Sequence, residues 1–131
     1  MQDVWERLVP LALAAREHAH APYSGYAVGA ALALEDGTTF SGCNVENASF
    51  GLTLCAERAA LAAMVAAGRR EPRALVVATA SEPPASPCGV CRQALAEFAH
   101  ELPILLVNPD GGRRQTSLED LLPDRFDLPR R

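Results

Sequence analysis

The order of hydrophobic patterns is the feature that most constrains the fold of this chain. Strand-like and helix-like segments alternate after an opening hairpin, whose turn is marked by Asp36-Gly37. The apolar run from Ala74 to Ala78 indicates a strand that is buried on both faces. With 131 residues, 49% of them hydrophobic, the chain can build the core of one domain over residues 1–131. We expect an α/β fold with helices packed on a mixed, roughly five-stranded sheet.

The patterns also give approximate boundaries for each element. Helices are predicted over residues 3–20, 55–67, 88–100 and 117–122, and strands over residues 27–35, 38–44, 73–79, 104–107 and 114–116. Gly68 should end the second helix. Pro10 lies inside the first helix and should kink it or mark a restart, because proline has no backbone donor.

Charge and hydropathy exclude several classes of partner. The formal net charge of −4 argues against a protein that binds duplex nucleic acid, which would need a basic surface. No run of eighteen apolar residues occurs, and residues 1–7 lack the apolar core of a signal peptide. We therefore expect a soluble cytoplasmic protein with no membrane partner.

Cysteine usage indicates free thiols or metal ligands rather than disulfides, because an intracellular chain of this size needs no covalent cross-links. The four cysteines are Cys43, Cys55, Cys88 and Cys91. Cys43 falls on a predicted strand and has no paired spacing, so we interpret it as a small buried residue. No histidine has ligand spacing either, and we interpret all three as surface or core residues: His18, His20 and His100.

Two cysteine motifs stand at predicted helix starts and together suggest a catalytic zinc site. Cys88 and Cys91 are three residues apart, which lets both sulfurs face one point. Cys55 supplies a third thiolate, and three protein ligands leave one position open for water. Glu57, two residues after Cys55, is close to such a metal without being an obvious ligand, so it can act as general base and then general acid.

The electrostatics of this arrangement are consistent with thiolate ligands. Helix N-termini favour thiolate over thiol, because backbone N–H groups and the helix dipole stabilise negative charge. Three thiolates carry more negative charge than one zinc ion neutralises, which makes the metal a weaker Lewis acid. Arg58 is our candidate for donating to the sulfurs and restoring that acidity.

Several longer motifs resemble those of the cytidine deaminases of the small, homotetrameric, all-cysteine zinc class. The motifs are Cys43–Arg58, Pro22-Tyr23-Ser24, Val28–Leu32 and Ser86–Gln93. The resemblance runs from about residue 3 to 126. It implies a three-layer α/β/α fold, one Zn²⁺ per subunit, and a homotetramer whose active sites are completed by neighbouring subunits.

The resemblance also implies roles for individual residues. Zinc ligands would be Cys55, Cys88 and Cys91, and Glu57 would shuttle protons. Asn44 and Glu46 would hold the ribose 3′-hydroxyl. They are two residues apart on a predicted strand, so their side chains would point the same way. Tyr26, where the family usually has Phe, would line the base pocket. The remaining substrate contacts would be the backbone near Ala56, and Phe50 and Phe126 reaching a neighbouring subunit's site.

The function expected from these residues is zinc-dependent deamination of cytidine and 2′-deoxycytidine to the uridine products, with release of ammonia, in pyrimidine salvage. One alternative is a deaminase of a modified cytosine nucleoside or another nucleobase on the same scaffold. Another, from a different class, is a non-catalytic interaction module stabilised by zinc.

Overall fold

The computed structural model describes residues 1–131 and contains five strands and four α-helices. The strands are β1 Gly29–Leu34, β2 Thr39–Cys43, β3 Pro72–Ala78, β4 Pro103–Val107 and β5 Arg113–Ser117. The helices are α1 Gln2–Arg16, α2 Ala56–Ala66, α3 Gly89–Ala96 and α4 Leu118–Leu121. A short 3₁₀ turn spans Phe50–Leu52. None of the helices combines the length and apolar character needed to cross a membrane.

The strands form one mixed sheet in the order β2-β1-β3-β4-β5, which confirms the predicted fold class. Only β3 and β4 run parallel, and the other neighbouring pairs are antiparallel. The β1–β2 hairpin turns at Asp36-Gly37 as predicted, where Gly37 adopts a φ of 90°. The side chain of Asp36 stabilises this turn by accepting a hydrogen bond from the Thr38 backbone N–H.

Helices cover both faces of the sheet, so the molecule has the three layers that the resemblance implied. Alternate residues of a strand point to opposite faces. Ala30 and Leu32 of β1 belong to a core shared with α2 and α3. Ala31 and Ala33 belong to a second core shared with α1. A strand buried on both sides explains the continuous apolar sequence of β1 and β3.

Glycines let two helices approach the sheet closely. A Cβ at Gly42 on β2 would lie 2.7 Å from the Ala56 carbonyl oxygen and 2.6 Å from the Ala60 nitrogen. A Cβ at Gly29 on β1 would lie 2.0 Å from the Ala12 carbonyl oxygen of α1. The contact at Gly42 matters for the site, because it fixes the N-terminal turn of α2 against the sheet.

Two helices are shorter than their patterns predicted. α1 ends at Arg16 rather than residue 20, and α3 ends at Ala96 rather than residue 100. Beyond both ends the hydrogen bonds tighten to the i→i−3 pattern; Glu97, for example, donates to Ala94. The apolar periodicity continues through such a turn, so it cannot reveal where the helix stops. Pro10 lies within a single uninterrupted α1, so the predicted restart does not occur.

Candidate active site

Three cysteines converge at the starts of two neighbouring helices. Cys55 is the N-cap residue of α2, Cys88 is the N-cap residue of α3, and Cys91 lies in the first turn of α3. Their sulfur atoms all lie within 4.8 Å of one another. The predicted convergence of residues 55, 88 and 91 is therefore present. Cys43 lies outside this cluster at the end of β2, and it is half-buried rather than buried as predicted.

The surroundings of the thiols affect their ionisation in opposite directions. Burial opposes ionisation of Cys88, but the backbone N–H groups of Cys91 and Val90 and the Cys91 thiol outweigh it and lower the pKa of Cys88. Burial, followed by the negative charge of Glu57, raises the pKa of Cys91. A buried thiol of this kind needs a nearby positive charge before it can ionise.

Arg58 supplies positive charge next to the sulfurs, as the sequence suggested. Its Nη2 donates to Cys55 Sγ at 3.6 Å and to the Thr53 carbonyl oxygen at 3.0 Å. The hydrogen bond to Cys55 raises the pKa of Arg58. Its Nε is buried without a hydrogen-bond partner. Arg58 is therefore held against the cysteine cluster rather than extended into solvent.

The cysteine cluster fits a zinc ion. Tetrahedral Zn–S bonds of about 2.3 Å place the sulfurs about 3.8 Å apart, which is within the observed spacing. Thiolate sulfurs are soft donors, which suit zinc. Their position at helix N-termini and the hydrogen bond from Arg58 to Cys55 both stabilise the negative charge of thiolate ligands. Three side chains converge and no fourth potential ligand joins them. The set has the ligand number of a catalytic zinc site rather than a closed structural one.

Glu57 is a carboxylic acid enclosed beside this cluster. Its side chain is only 4% exposed, and burial raises its pKa. A backbone hydrogen bond, the Cys91 thiol and the charge of Arg58 act in the opposite direction. A carboxyl group with a raised pKa takes up a proton more readily than an ordinary carboxyl group, which suits a general base that later acts as a general acid.

A cavity of about 290 Å³ opens onto Glu57 and two of the cysteines, close to the lower limit for small-molecule sites. Its lining residues are Ser24, Tyr26, Val28, Asn44, Glu46, Thr53, Cys55, Ala56, Glu57, Val77, Thr79, Ala85, Ser86 and Cys88. The sequence singled out seven of these fourteen. Four of the others lie within the motifs that carry the family resemblance, without an assigned role: Ser24, Val28, Thr53 and Ser86. No local signal marked the last three, which are Val77 on β3 and the loop residues Thr79 and Ala85.

Asn44 and Glu46 both line the cavity. The prediction that they lie together on a strand is wrong. β2 ends at Cys43, and the following chain stays extended because Val45 pairs with Leu54 and His20. Asn44 is buried, with Nδ2 donating to Tyr26 O at 2.8 Å and Oδ1 accepting from Val28 N–H at 2.9 Å. Each of its polar atoms retains capacity for one further hydrogen bond.

Glu46 joins two loops at the edge of the cavity. Its Oε1 accepts from the backbone N–H groups of Tyr23 and Ser24 at 3.0 and 3.1 Å. Its Oε2 accepts a short hydrogen bond from the Ser24 hydroxyl, and this bond lowers the pKa of Glu46. The carboxylate is therefore held ionised and oriented, as a hydrogen-bond acceptor for a ligand hydroxyl must be.

The remaining predicted contacts differ in position. Tyr26 and Ala56 line the cavity, and the Tyr26 hydroxyl is hydrogen-bonded to the Ser81 hydroxyl. Phe50 and Phe126 do not line it; they are 76% and 66% exposed. Phe50 packs edge-on against Tyr23, with ring centroids 6.2 Å apart.

Arg92 is a structural residue that sequence reasoning missed. Its Nε donates to Pro87 O at 2.7 Å, Nη1 to Leu121 O at 2.8 Å, and Nη2 to Ser86 Oγ at 3.1 Å. These bonds fasten the loop before Cys88 to the C-terminal segment. The partner at Leu121 is 29 residues away, which local motifs cannot reveal.

Comparison with known proteins agrees with this geometry. The family described as "Cytidine and deoxycytidylate deaminase zinc-binding region" matches residues 3–105. The chain belongs to this family. Among its members, cytidine deaminase from Sporosarcina psychrophila is 46% identical over 92% of this chain and 90% of its own length. Cytidine deaminase from Mycobacterium tuberculosis is 45% identical over 99% of this chain and 98% of its own.

Solved structures within the family superpose closely. The 1.6 Å crystal structure of cytidine deaminase from Burkholderia pseudomallei has a TM-score of 0.89 and 50% identity, covering 92% of this chain and 98% of that one. The structure of the M. tuberculosis enzyme has a TM-score of 0.82 and 43% identity, covering 95% and 98%. The chain therefore belongs to a zinc-binding family, and its cysteine cluster has the donor atoms to hold a zinc ion.

Proposed function

We propose that this chain is a single catalytic domain that hydrolyses cytidine and 2′-deoxycytidine to uridine and 2′-deoxyuridine with release of ammonia. One observation carries the proposal. A buried glutamic acid and two of the three converging cysteines line one cavity, which is also lined by an amide and a carboxylate. Family membership and the names of the relatives give independent support.

The chemistry divides between the metal and the side chains. Cys55, Cys88 and Cys91 would hold the zinc ion, which would supply the acidity that lowers the pKa of a nearby water molecule. Glu57 accepts a proton from the attacking water and delivers it to N3 of the cytosine ring. The water oxygen bonds to C4 as the N3–C4 double bond becomes single. Glu57 then takes the remaining proton of that hydroxyl group and passes it to the amino group, so the C4–N bond breaks, ammonia leaves and the C4 carbonyl of uridine forms. Arg58 offsets the excess negative charge of the three thiolates.

Substrate binding is assigned to the polar rim. Asn44 and Glu46 hold the ribose 3′-hydroxyl, since the amide can donate to it and the carboxylate can accept from it. Tyr26 lies beside the base, and backbone groups near Ala56 contact the base edge. This arrangement favours a free nucleoside over a polynucleotide, in agreement with the net charge of −4.

We further propose that the functional unit is a homotetramer. Phe50 and Phe126 are large apolar side chains left exposed on the single chain, and burial against a neighbour would remove that apolar surface from water. Their place is in a neighbouring subunit's site. The expected cellular role is pyrimidine salvage in the cytoplasm.

A substrate panel tests the proposal. Purified protein with its zinc content measured is incubated with cytidine, 2′-deoxycytidine, cytidine monophosphate, guanine and a cytidine-containing oligonucleotide. Ultraviolet absorbance and ammonia release report turnover. We expect rapid turnover of the two free nucleosides and little of the others. Preferential turnover of another base would support the alternative deaminase, and zinc without turnover of any substrate would support the interaction module.

A further inference from the structure

The cavity opens where two neighbouring strands of the sheet separate. Gly29 of β1 pairs with Ala78 of β3, and this pair is the last in their register. Beyond it, Val28 N–H donates to the Asn44 side chain and Thr79 N–H donates to Val107 O. No backbone hydrogen bond joins residues 22–28 to residues 79–88. Both segments line the cavity, so the distance between them sets its width.

A side-chain hydrogen bond bridges this gap. Tyr26 precedes Gly29 by three residues and Ser81 follows Ala78 by three, so the two continue the strand register outwards. Their hydroxyl groups are hydrogen-bonded to each other. Tyr26 is 39% exposed, so packing encloses the residue only in part. A phenylalanine ring in the same place would lack this link.

Ser81 is the fixed end of the bridge. Its carbonyl oxygen accepts from Asn108 Nδ2 at 3.0 Å, and its N–H donates to Thr79 Oγ1 at 3.3 Å. Asn108 is 3% exposed, and its Oδ1 accepts from Gly112 N–H at 2.8 Å. A buried amide on the turn after β4 therefore holds the Ser81 backbone in place.

We propose that Ser81 is a positioning residue for substrate binding, which acts by holding the Tyr26 ring at the cavity wall. The inference rests on the proposed nucleoside deaminase function. Ser81 itself does not line the cavity, and it acts through the tyrosine. Its hydroxyl orients the ring before substrate enters, which lowers the ordering cost of binding and leaves the proton transfers of Glu57 untouched.

Steady-state kinetics with cytidine separate these effects. Tyr26→Phe and Ser81→Ala each remove one side of the bond, and we expect either to raise KM about three- to tenfold, as loss of one neutral hydrogen bond does. In Ser81→Ala, kcat and zinc content should stay at wild-type values. Ser81→Thr keeps a hydroxyl and should restore a low KM. The double variant should be no worse than either single one, because both remove the same bond.

Two further measurements make the outcome decisive. Ser41→Ala, a matched change at an exposed position on β2, should leave KM unchanged. Hydrogen–deuterium exchange of residues 22–28 should be faster in Tyr26→Phe and Ser81→Ala than in wild type. Absence of uridine formation by wild-type protein would overturn the proposed function. The exchange data would still show whether the hydrogen bond between Tyr26 and Ser81 holds residues 22–28 in place. The role of Ser81 would be overturned if Tyr26→Phe and Ser81→Ala both kept the wild-type KM and the wild-type exchange rate. A lower kcat with an unchanged KM in Ser81→Ala would also overturn it.

Discussion

At the scale of single residues, the candidate site depends on where charge is placed. Glu57 is enclosed beside cysteine sulfurs, and its raised pKa suits the proton transfer that we propose for it. The surroundings of Glu46 have the opposite effect, because hydrogen bonds lower its pKa and keep its carboxylate ionised. Two carboxyl groups with opposite pKa shifts at one cavity suit the separate tasks that we propose for them, one in proton transfer and one in binding.

Arg58 should matter for metal retention. Arg58→Gln removes the charge-assisted donor to Cys55, so the thiolate becomes easier to protonate and zinc affinity should fall about 10–100-fold. Competition with a chromophoric chelator measures the zinc dissociation constant. Arg70→Gln, at an exposed arginine that bonds only carbonyl oxygens, is the control. Equal zinc affinity in both variants would show that Arg58 does not support the ligands.

Glu46 should make stability depend on pH in the acid range. The folded-state pKa of Glu46 lies below the ordinary value of 4.5, so its contribution to the unfolding free energy is complete at pH values above 4.5. The contribution is lost as the pH falls through the lower folded-state pKa. The difference in unfolding free energy between wild type and Glu46→Gln should therefore be largest near pH 7 and shrink in acid. Urea titrations measure it, with exposed Glu71→Gln as control; a difference independent of pH would contradict the assignment.

At the scale of elements, the site is built where helix N-termini meet the sheet. α2 brings Cys55 and Glu57, and α3 brings Cys88 and Cys91. Each helix start supplies backbone N–H groups and a favourable dipole to the thiolates. α2 can take this position only because Gly42 of β2 has no side chain. The packing of α2 on β2 therefore affects the metal ligands directly.

Gly42→Ala tests this dependence. The new Cβ would meet backbone atoms of α2 at 2.6–2.7 Å, so the helix must shift. We expect a loss of about 1–3 kcal/mol in unfolding free energy, together with weaker zinc retention. Thermal and urea unfolding with zinc analysis measure both. Gly51→Ala, where the added Cβ meets nothing within 4 Å, is the matched control and should behave like wild type. Wild-type stability of Gly42→Ala would contradict the packing account.

At the scale of the whole molecule, the features that could be predicted from the sequence are those determined by residues close together in the chain. The order of strands and helices, the Asp36-Gly37 turn and the cysteine spacing all follow from neighbouring residues. Contacts between distant segments were not predictable. Ser81 meets Tyr26 across 55 residues, and Arg92 meets Leu121 across 29. Helix ends were also missed, because apolar periodicity continues past the last α-helical hydrogen bond at Arg16 and Ala96.

The proposed tetramer is a property of the whole molecule with a direct test. Light scattering should give a mass near four times the 13.9 kDa of one chain. Phe126→Ala should raise KM for cytidine about two- to tenfold, the range for loss of one aromatic contact. Mixed tetramers of Phe126→Ala and Glu57→Gln subunits should recover sites with low KM, because each variant supplies what the other lacks. A monomeric mass, or mixtures that behave as the sum of their parts, would count against shared sites.

The most direct test of the central claim is zinc content and cytidine turnover measured on the same preparations of wild type and Glu57→Gln. Glutamine preserves the size of the side chain and removes its ability to carry a proton. Our account predicts one zinc per chain in both proteins and a kcat at least about a hundredfold lower in the variant, the scale of a lost general acid–base. Near-wild-type turnover by zinc-loaded Glu57→Gln would contradict it.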